Sequence, residues 1–311
     1  MRASIPSGVA AAAVLVMAAA ACSREAAASR TETEETAAPD SATMLVRADW
    51  LARRLGGDSL VILHVSAGND GEAEYRRAHI PGARHLSYGS ITTGSAELPP
   101  VPQLKELLRA LGVSNHTRVV VYSSNPQIMA RAWLTFDYLG HGDRTSMLDG
   151  GLPAWQRAGH PLTTEVGRYA RGSFVARPAA SRIVDAAWVR RRLGDSTVAL
   201  VDARTTEEYT GADGGMGGMH LAGHIPGAKH MYWERLIESR QHPVLRDTAE
   251  LRRLFEEAGA ARGDTVVAYC MVGQRASVTY FVARLLGYAT TMYDGSMVDW
   301  SEKRMPVKTG N

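Results

Sequence analysis

The sequence predicts an α/β fold built from two tandem units, each a mainly parallel sheet with helices on both faces. Two observations carry that prediction. The first is an internal repeat: His79-Ile80-Pro81-Gly82-Ala83 recurs as His224-Ile225-Pro226-Gly227-Ala228, an offset of 145 (224 − 79). Asp149-Gly150-Gly151 with Trp155 recurs at the same offset as Asp294-Gly295-Ser296 with Trp300, and Leu139-Gly140 matches Leu286-Gly287 at 147 (286 − 139). Agreement at separated points under nearly one offset marks a duplicated unit. The second is the alternation of short, continuous apolar runs with helical patterns, as in parallel strands covered on both sides.

Each unit reads in the same order. An amphipathic helix from Trp50, or from Trp188, leads to an apolar strand, Leu60 to Leu63 or Val198 to Val201. The His-Ile-Pro-Gly-Ala loop follows, its proline and glycine enforcing a turn. Then come a helix (Gln103 to Leu111; Thr248 to Ala258) and a second buried strand (Val119 to Val121; Val266 to Ala268). A loop, a further helix and a short strand before Asp-Gly complete the unit. Arg168 to Ala180, with Gly172 and Pro178, reads as the joint between the copies.

Composition bounds the rest. The 311 residues hold two domains of ordinary size, with 45% hydrophobic and 22% charged residues, as in globular proteins. A net charge of +3, with arginines spread along the chain, gives no footprint for nucleic acid. Two cysteines, Cys22 and Cys270, exclude a disulfide framework and a cysteine-rich metal site. At the N-terminus, Arg2 and the apolar, alanine-rich run Val9 to Ala21 read as an export signal, too short for a stable membrane anchor. Small residues directly before Cys22 resemble a bacterial lipobox, although Ala19 stands where leucine is usual; lipidation of Cys22 is the expectation, with simple cleavage as the alternative. Ser23 to Ala42 is polar and acidic and reads as a tether.

The candidate site is Tyr269-Cys270-Met271-Val272-Gly273-Gln274-Arg275-Ala276-Ser277. It lies between the strand ending at Ala268 and a helix from Val278. Ligands of open α/β sheets bind at such carboxyl ends of strands. Loop amides and a helix N-terminus favour an anion there, a thiolate included. The bland alternative is a buried core thiol; the Gly, Gln and Arg that follow argue against it. Four residues separate Cys270 from Arg275, a cradle one residue tighter than the five-residue spacing of cysteine phosphatases.

This loop, with its strand and helix, resembles the active-site loop of the rhodanese (thiosulfate sulfurtransferase) family, and the His-Ile-Pro-Gly-Ala and Asp-Gly-x-x-x-x-Trp elements fit it too. The resemblance runs from about Thr43 to the C-terminus. It implies a division into signal (1–21), tether (22–42), a first rhodanese-like domain (43–165), linker (166–180) and a catalytic rhodanese domain (181–311). It also implies that Cys270 takes a sulfane sulfur from thiosulfate or a similar anionic donor and carries it as a persulfide to cyanide or a thiol. Arg275 would orient the donor, and the loop from Met271, Val272, Gly273 and Gln274 through Ala276 and Ser277 would cradle it. No cofactor or metal is expected, and the chain is expected to act as a monomer, exported to the periplasm or cell envelope. One departure is Met271, where related thiosulfate enzymes often carry a basic residue. Mercaptopyruvate sulfurtransferase and a persulfide carrier without free turnover are the alternatives.

The two copies are not equal. At the 147 offset Ser123 stands opposite Cys270, Ile128 opposite Arg275 and Pro126 opposite Gly273. The first copy thereby lacks nucleophile, cation and one amide donor, and is expected to be silent. Val201-Asp202-Ala203-Arg204 in the second copy has only His64-Val65-Ser66 opposite it. Arg204 is a candidate for meeting an anionic donor, weighed against an internal ion pair with Glu207 or Glu208. Gly211 to Gly223, rich in Gly and Met, reads as a flexible surface excursion or a lid.

Overall fold

Five parallel strands in each half, apolar on both faces, set the architecture of the computed structural model, which describes residues 44–213 and 222–310. The proposed signal, the Cys22 lipidation site, all of the tether and the centre of the Gly/Met-rich insert lie outside those residues. The first half runs β1 (Leu45–Val46), α1 (Ala48–Ala52), β2 (Leu60–Ser66), α2 (Gly71–Arg77), β3 (Ala83–Ser87), α3 (Val101–Ala110), β4 (Arg118–Tyr122), α4 (Pro126–Tyr138), β5 (Thr145–Leu148) and α5 (Gly151–Arg157). The second repeats it: β6 (Ile183–Val184), α6 (Ala186–Arg191), β7 (Val198–Asp202), α7 (Thr206–Thr210), β8 (Lys229–His230), α8 (Thr248–Glu257), β9 (Thr265–Tyr269), α9 (Ala276–Leu285), β10 (Ala289–Tyr293) and α10 (Ser296–Glu302). The sheets have matching orders, β1-β5-β4-β2-β3 and β6-β10-β9-β7-β8, as a duplicated unit requires.

The halves meet through the equivalent helices α4 and α9. Both are apolar nearly all round, with Ile128 to Asp137 and Ala276 to Ala283 buried, because each lies between its own sheet and the other helix. The contacts obey the sequence offset of 147. Gln274 Nε2 donates to Gln127 Oε1 at 3.1 Å, Trp133 lies 6.3 Å from Tyr280, and Arg284 Nε donates to Asp137 at 3.2 Å. A pseudo-twofold axis therefore runs between α4 and α9.

The joint between the copies is tied down. Gly172, Phe174, Arg177 and Ala179 donate backbone hydrogen bonds to Arg109, Val113, Leu139 and Tyr138, and Phe174 is fully buried. The segment 166–180 thus lies along the first half as a strap, because its amides found partners there.

Two buried polar groups yield predictions. Asp137, 5% exposed, accepts the Tyr280 hydroxyl at 2.6 Å and pairs with Arg284 and Arg182, both at 3.2 Å. Asp137→Ala leaves two arginines facing each other. It is expected to cost about 3 kcal/mol in urea unfolding, the low end for a broken buried pair because both arginines keep some solvent contact. His64, near the end of β2, is fully buried, and neither ring nitrogen has a hydrogen-bond partner among the described residues. Burial, then the neighbouring His85 and His79, lowers its pKa from 6.5 to about 4. The Glu74 carboxylate, 3.6 Å away and 41% exposed, is too distant and too hydrated to reverse that. Between those values the unfolded chain binds the extra proton, so this stability is present above pH 6.5 and lost as pH falls to about 4. The loss is expected to reach about 3 kcal/mol, and His64→Phe removes it from the pH dependence of urea unfolding.

Candidate active site

Cys270 follows directly on β9, the central strand of the second sheet, and is fully buried. Its seat is the turn after β10. The Cys270 amide donates to Ser296 Oγ at 3.2 Å, the Met297 amide donates to the Cys270 carbonyl at 3.1 Å, and the Val298 amide to the Met271 carbonyl at 3.1 Å. Ser296 holds φ at +53°, a left-handed backbone that side chains rarely adopt, and its hydroxyl also donates to the Tyr293 carbonyl at 3.0 Å. The repeated Asp-Gly element is therefore the platform on which the cysteine sits.

Past Cys270 the chain turns sharply at Gly273 (φ +83°). A Cβ there would lie 3.0 Å from both the carbonyl and the carboxylate Oδ1 of Asp294 and 3.3 Å from Arg131 Nη1. Only glycine fits such a turn and approach. The amides of Met271, Val272, Gly273, Gln274 and Arg275 donate to no acceptor among the described residues. Five consecutive open amides before a helix N-terminus form a concavity suited to an anion. The first copy has used two of the equivalent donors and lacks a third: the Asn125 amide goes to Ser123 Oγ at 3.1 Å, the Gln127 amide to Asn125 Oδ1 at 2.9 Å, and Pro126 has none.

Arg275 lies close enough to Cys270 for the sulfur to favour its charge, and it grips Glu208, Nη1 to Oε2 at 2.6 Å and Nη2 to Oε1 at 2.8 Å. Burial works against its charge, but the Glu208 carboxylate and the neighbouring sulfur outweigh it, so its pKa is raised. Burial likewise pushes Glu208 up, yet Arg275 and the Thr205 amide hold it net below its ordinary range. Glu208 is placed by a capping box with Thr205 at the start of α7.

Other expected site residues fall differently. Arg204 does not meet a donor: it is 1% exposed, locked to Asp202 through contacts of 2.7–3.1 Å, and its Nη2 also donates to the Gly223 carbonyl at 2.8 Å. Nor are Glu207 or Glu208 its partners. The correction is geometric, since two residues apart on extended chain share a face. Met271 points into the core with Tyr269, Tyr293 and Trp300, and Val272 packs against the same cluster, so each offers the site only its amide. Ser277 donates its hydroxyl to the Gly273 carbonyl at 2.9 Å and its amide to Gln274, which places it in the loop's scaffold. Ala276 is fully buried at the first turn of α9, and Gln274 bridges to Gln127 and accepts the Tyr88 hydroxyl at 3.4 Å.

Sequence reasoning missed the first half's contribution. Tyr88, Gln127 and Arg131 all reach the loop, the last by an ion pair to Asp294. A cavity of about 1020 Å³ at the junction of the halves is lined in part by Leu98, Pro99, Ile183, Thr290 and Asp294, but not by Cys270.

Two copies of one parallel-sheet unit, with a cysteine loop in the second only, define a tandem domain of the sulfur-handling kind. The chain matches the Rhodanese-like domain family twice, over residues 47–158 and 185–303, and belongs to that family. It is 33% identical, over 87% of its length and 100% of the relative's, to a probable 3-mercaptopyruvate sulfurtransferase of Pseudomonas aeruginosa. It is 32% identical to the sulfur carrier protein TtuD of Thermus thermophilus (83% and 93% covered) and 31% identical to a thiosulfate sulfurtransferase of Corynebacterium glutamicum (89% and 93% covered). Among solved structures, the anaerobic ergothioneine biosynthesis enzyme from Chlorobium limicola superposes with a TM-score of 0.77 at 23% identity, over 86% of this chain and 71% of that one, a likeness of fold.

Proposed function

We propose that the protein is a sulfurtransferase that moves a sulfane sulfur through a persulfide on Cys270, with thiosulfate as donor. The observation that carries this is the cysteine beside five open amides and a guanidinium at the carboxyl end of β9. The Cys270 thiolate attacks the outer sulfur of thiosulfate; the sulfur–sulfur bond breaks and sulfite leaves with the electron pair. The persulfide anion is then held by amides already in place, with no reorganisation. Cyanide or a thiolate attacks the outer sulfur, and the Cys270 thiolate leaves unchanged. Arg275, held by Glu208, contributes a fixed positive edge toward the reacting sulfur rather than a free hand for the donor.

The names of the relatives support sulfur transfer and divide over the donor. Thiosulfate is favoured here because the Cys270–Arg275 loop supplies a cation where an oxyanion must leave. A persulfide carrier is the second reading, and the 32% identity to the sulfur carrier protein TtuD of Thermus thermophilus supports it. We further infer from the apolar run Val9 to Ala21 and Cys22 that the protein is exported and lipid-anchored, acting as a monomer whose halves supply both walls of the site. The test is thiocyanate production from cyanide with thiosulfate or with mercaptopyruvate. Faster production with thiosulfate is expected; faster production with mercaptopyruvate overturns the donor assignment, and none with either leaves the carrier reading.

A further inference from the structure

The pseudo-twofold axis makes the two sides of the molecule each other's control. In each half the aspartate of the Asp-Gly turn accepts an amide from a strap of the other half: Leu98 N donates to Asp294 Oδ2 at 2.8 Å, and Leu245 N donates to Asp149 Oδ1 at 3.1 Å. Asp149 and Asp294 are equivalent at the 145 offset, and Leu98 and Leu245 at 147 (245 − 98). The scaffold contact is thus built twice.

Among the described residues, only one side adds a cation in direct contact with the aspartate. Arg131 of α4, fully buried, ion-pairs with Asp294 through Nη1 and donates from Nη2 to the Ala96 carbonyl at 2.7 Å. Its equivalent on α9, at 278 (131 + 147), is Val278, 1% exposed, and among the described residues Asp149 has no ion-pair partner, Arg47 acting on it only from a longer distance. Ala96, which receives the guanidinium, holds φ at +64° to do so. The arginine therefore belongs by chain to the half without the cysteine and serves the turn beneath the half that has it. A requirement of packing alone would apply to both sides, and the other side meets it with valine.

What Arg131 touches explains the asymmetry. Asp294 begins the turn whose Ser296 holds the Cys270 amide, and Asp294 and Arg131 together back onto Gly273, the point where the cysteine loop bends. We propose that Arg131 is a positioning residue for the Cys270 loop, supplied by the first domain, which makes that domain part of the active site although it carries no nucleophile. The guanidinium is neutralised by Asp294, so it acts by fixing the loop and not by binding the donor.

The inference rests on the sulfur-transfer reading for two readouts, persulfidation and KM, and not for alkylation or unfolding. Arg131→Met, Arg131→Lys, Asp294→Ala and the mirror control Asp149→Ala are compared with wild type in the full chain. The rates of Cys270 persulfidation by thiosulfate and of Cys270 alkylation by iodoacetamide are followed by peptide mass mapping, beside KM for thiosulfate and urea unfolding. Displacing a reacting group by about an ångström costs up to ~10²-fold, so Arg131→Met and Asp294→Ala are expected to slow both reactions ~10- to 100-fold with KM within about threefold. Arg131→Lys falls between, and Asp149→Ala stays within about twofold of wild type. Should Arg131→Met not fold, Arg131→Lys against Asp149→Ala carries the comparison. Wild-type rates in the Arg131 variants, or equal slowing by Asp149→Ala, overturn the proposal. If wild type accepts no sulfur from thiosulfate, the functional reading fails while the alkylation rates still decide the role of Arg131.

Discussion

Cys270→Ser is expected to lower thiocyanate formation from thiosulfate and cyanide by at least ~10³-fold. Every other feature of the site survives that change: the Ser296 contact is to the Cys270 amide, and the open amides from Met271 to Arg275 are backbone. What is lost is the nucleophile. A hydroxyl is a far weaker nucleophile than a thiolate at neutral pH, and serine cannot form a persulfide. The first half already contains that experiment, since Ser123 occupies the equivalent place and its hydroxyl is spent on the Asn125 amide. Urea unfolding of Cys270→Ser is expected to stay within about 1 kcal/mol of wild type, because the side chains are close in size and the open loop amides offer the buried hydroxyl partners.

Arg275→Leu is expected to be the second largest loss, roughly 10²- to 10³-fold in kcat/KM, comparable to removing one fixed donor from a site that stabilises developing charge. It also leaves the Glu208 carboxylate, 11% exposed on its side chain, without its partner beside the reacting sulfur. Breaking a buried pair from one end costs about 3–5 kcal/mol, so this variant should be less stable as well as slower. Glu208→Gln separates the two effects. It keeps hydrogen-bonding capacity toward Arg275 but removes the negative charge, and a fall of only about tenfold is expected. The pH dependence follows with a definite sign. Because the folded-state pKa of Glu208 lies below its unfolded value of 4.5, its contribution to stability is present above that value and is lost as pH falls through the folded one. Activity near neutral pH should therefore be insensitive to the titration of this group.

Much of the architecture was readable because parallel strands leave a strong local mark. Val119 to Val121 and Val266 to Ala268 are continuous apolar runs, and the structure extends them only to Arg118–Tyr122 and Thr265–Tyr269. The duplicated motifs fixed which elements of the two halves are equivalent, while the meeting of α4 and α9 residues at the same offset of 147 emerged only in the structure. Cys270 stood out because it is one of two cysteines and leads into a Gly-Gln-Arg loop.

The misreadings have physical causes. Arg204 was weighed against acids three and four residues ahead, a helical spacing, while the chain at Asp202 to Arg204 is leaving a strand and pairs at a spacing of two. Glu208 was seen as a partner for the wrong arginine, though Thr205-x-x-Glu208 marked it as a helix start. Arg131 was invisible for a different reason. Its partner Asp294 is 163 residues away, and no periodicity within one helix reports a contact made across a domain junction. A buried thiol was the alternative that the Gly-Gln-Arg loop argued against, yet Cys270 is buried within the core, beside the loop and not exposed on it.

The account stands on a persulfide at one sulfur. Incubating the protein with thiosulfate, removing excess donor and mapping peptides by mass measures it directly. The prediction is a gain of one sulfur atom on the Cys270 peptide, removed by cyanide and absent from Cys270→Ser. An unmodified Cys270 peptide, or the same gain elsewhere in the chain with Cys270 replaced, would contradict it.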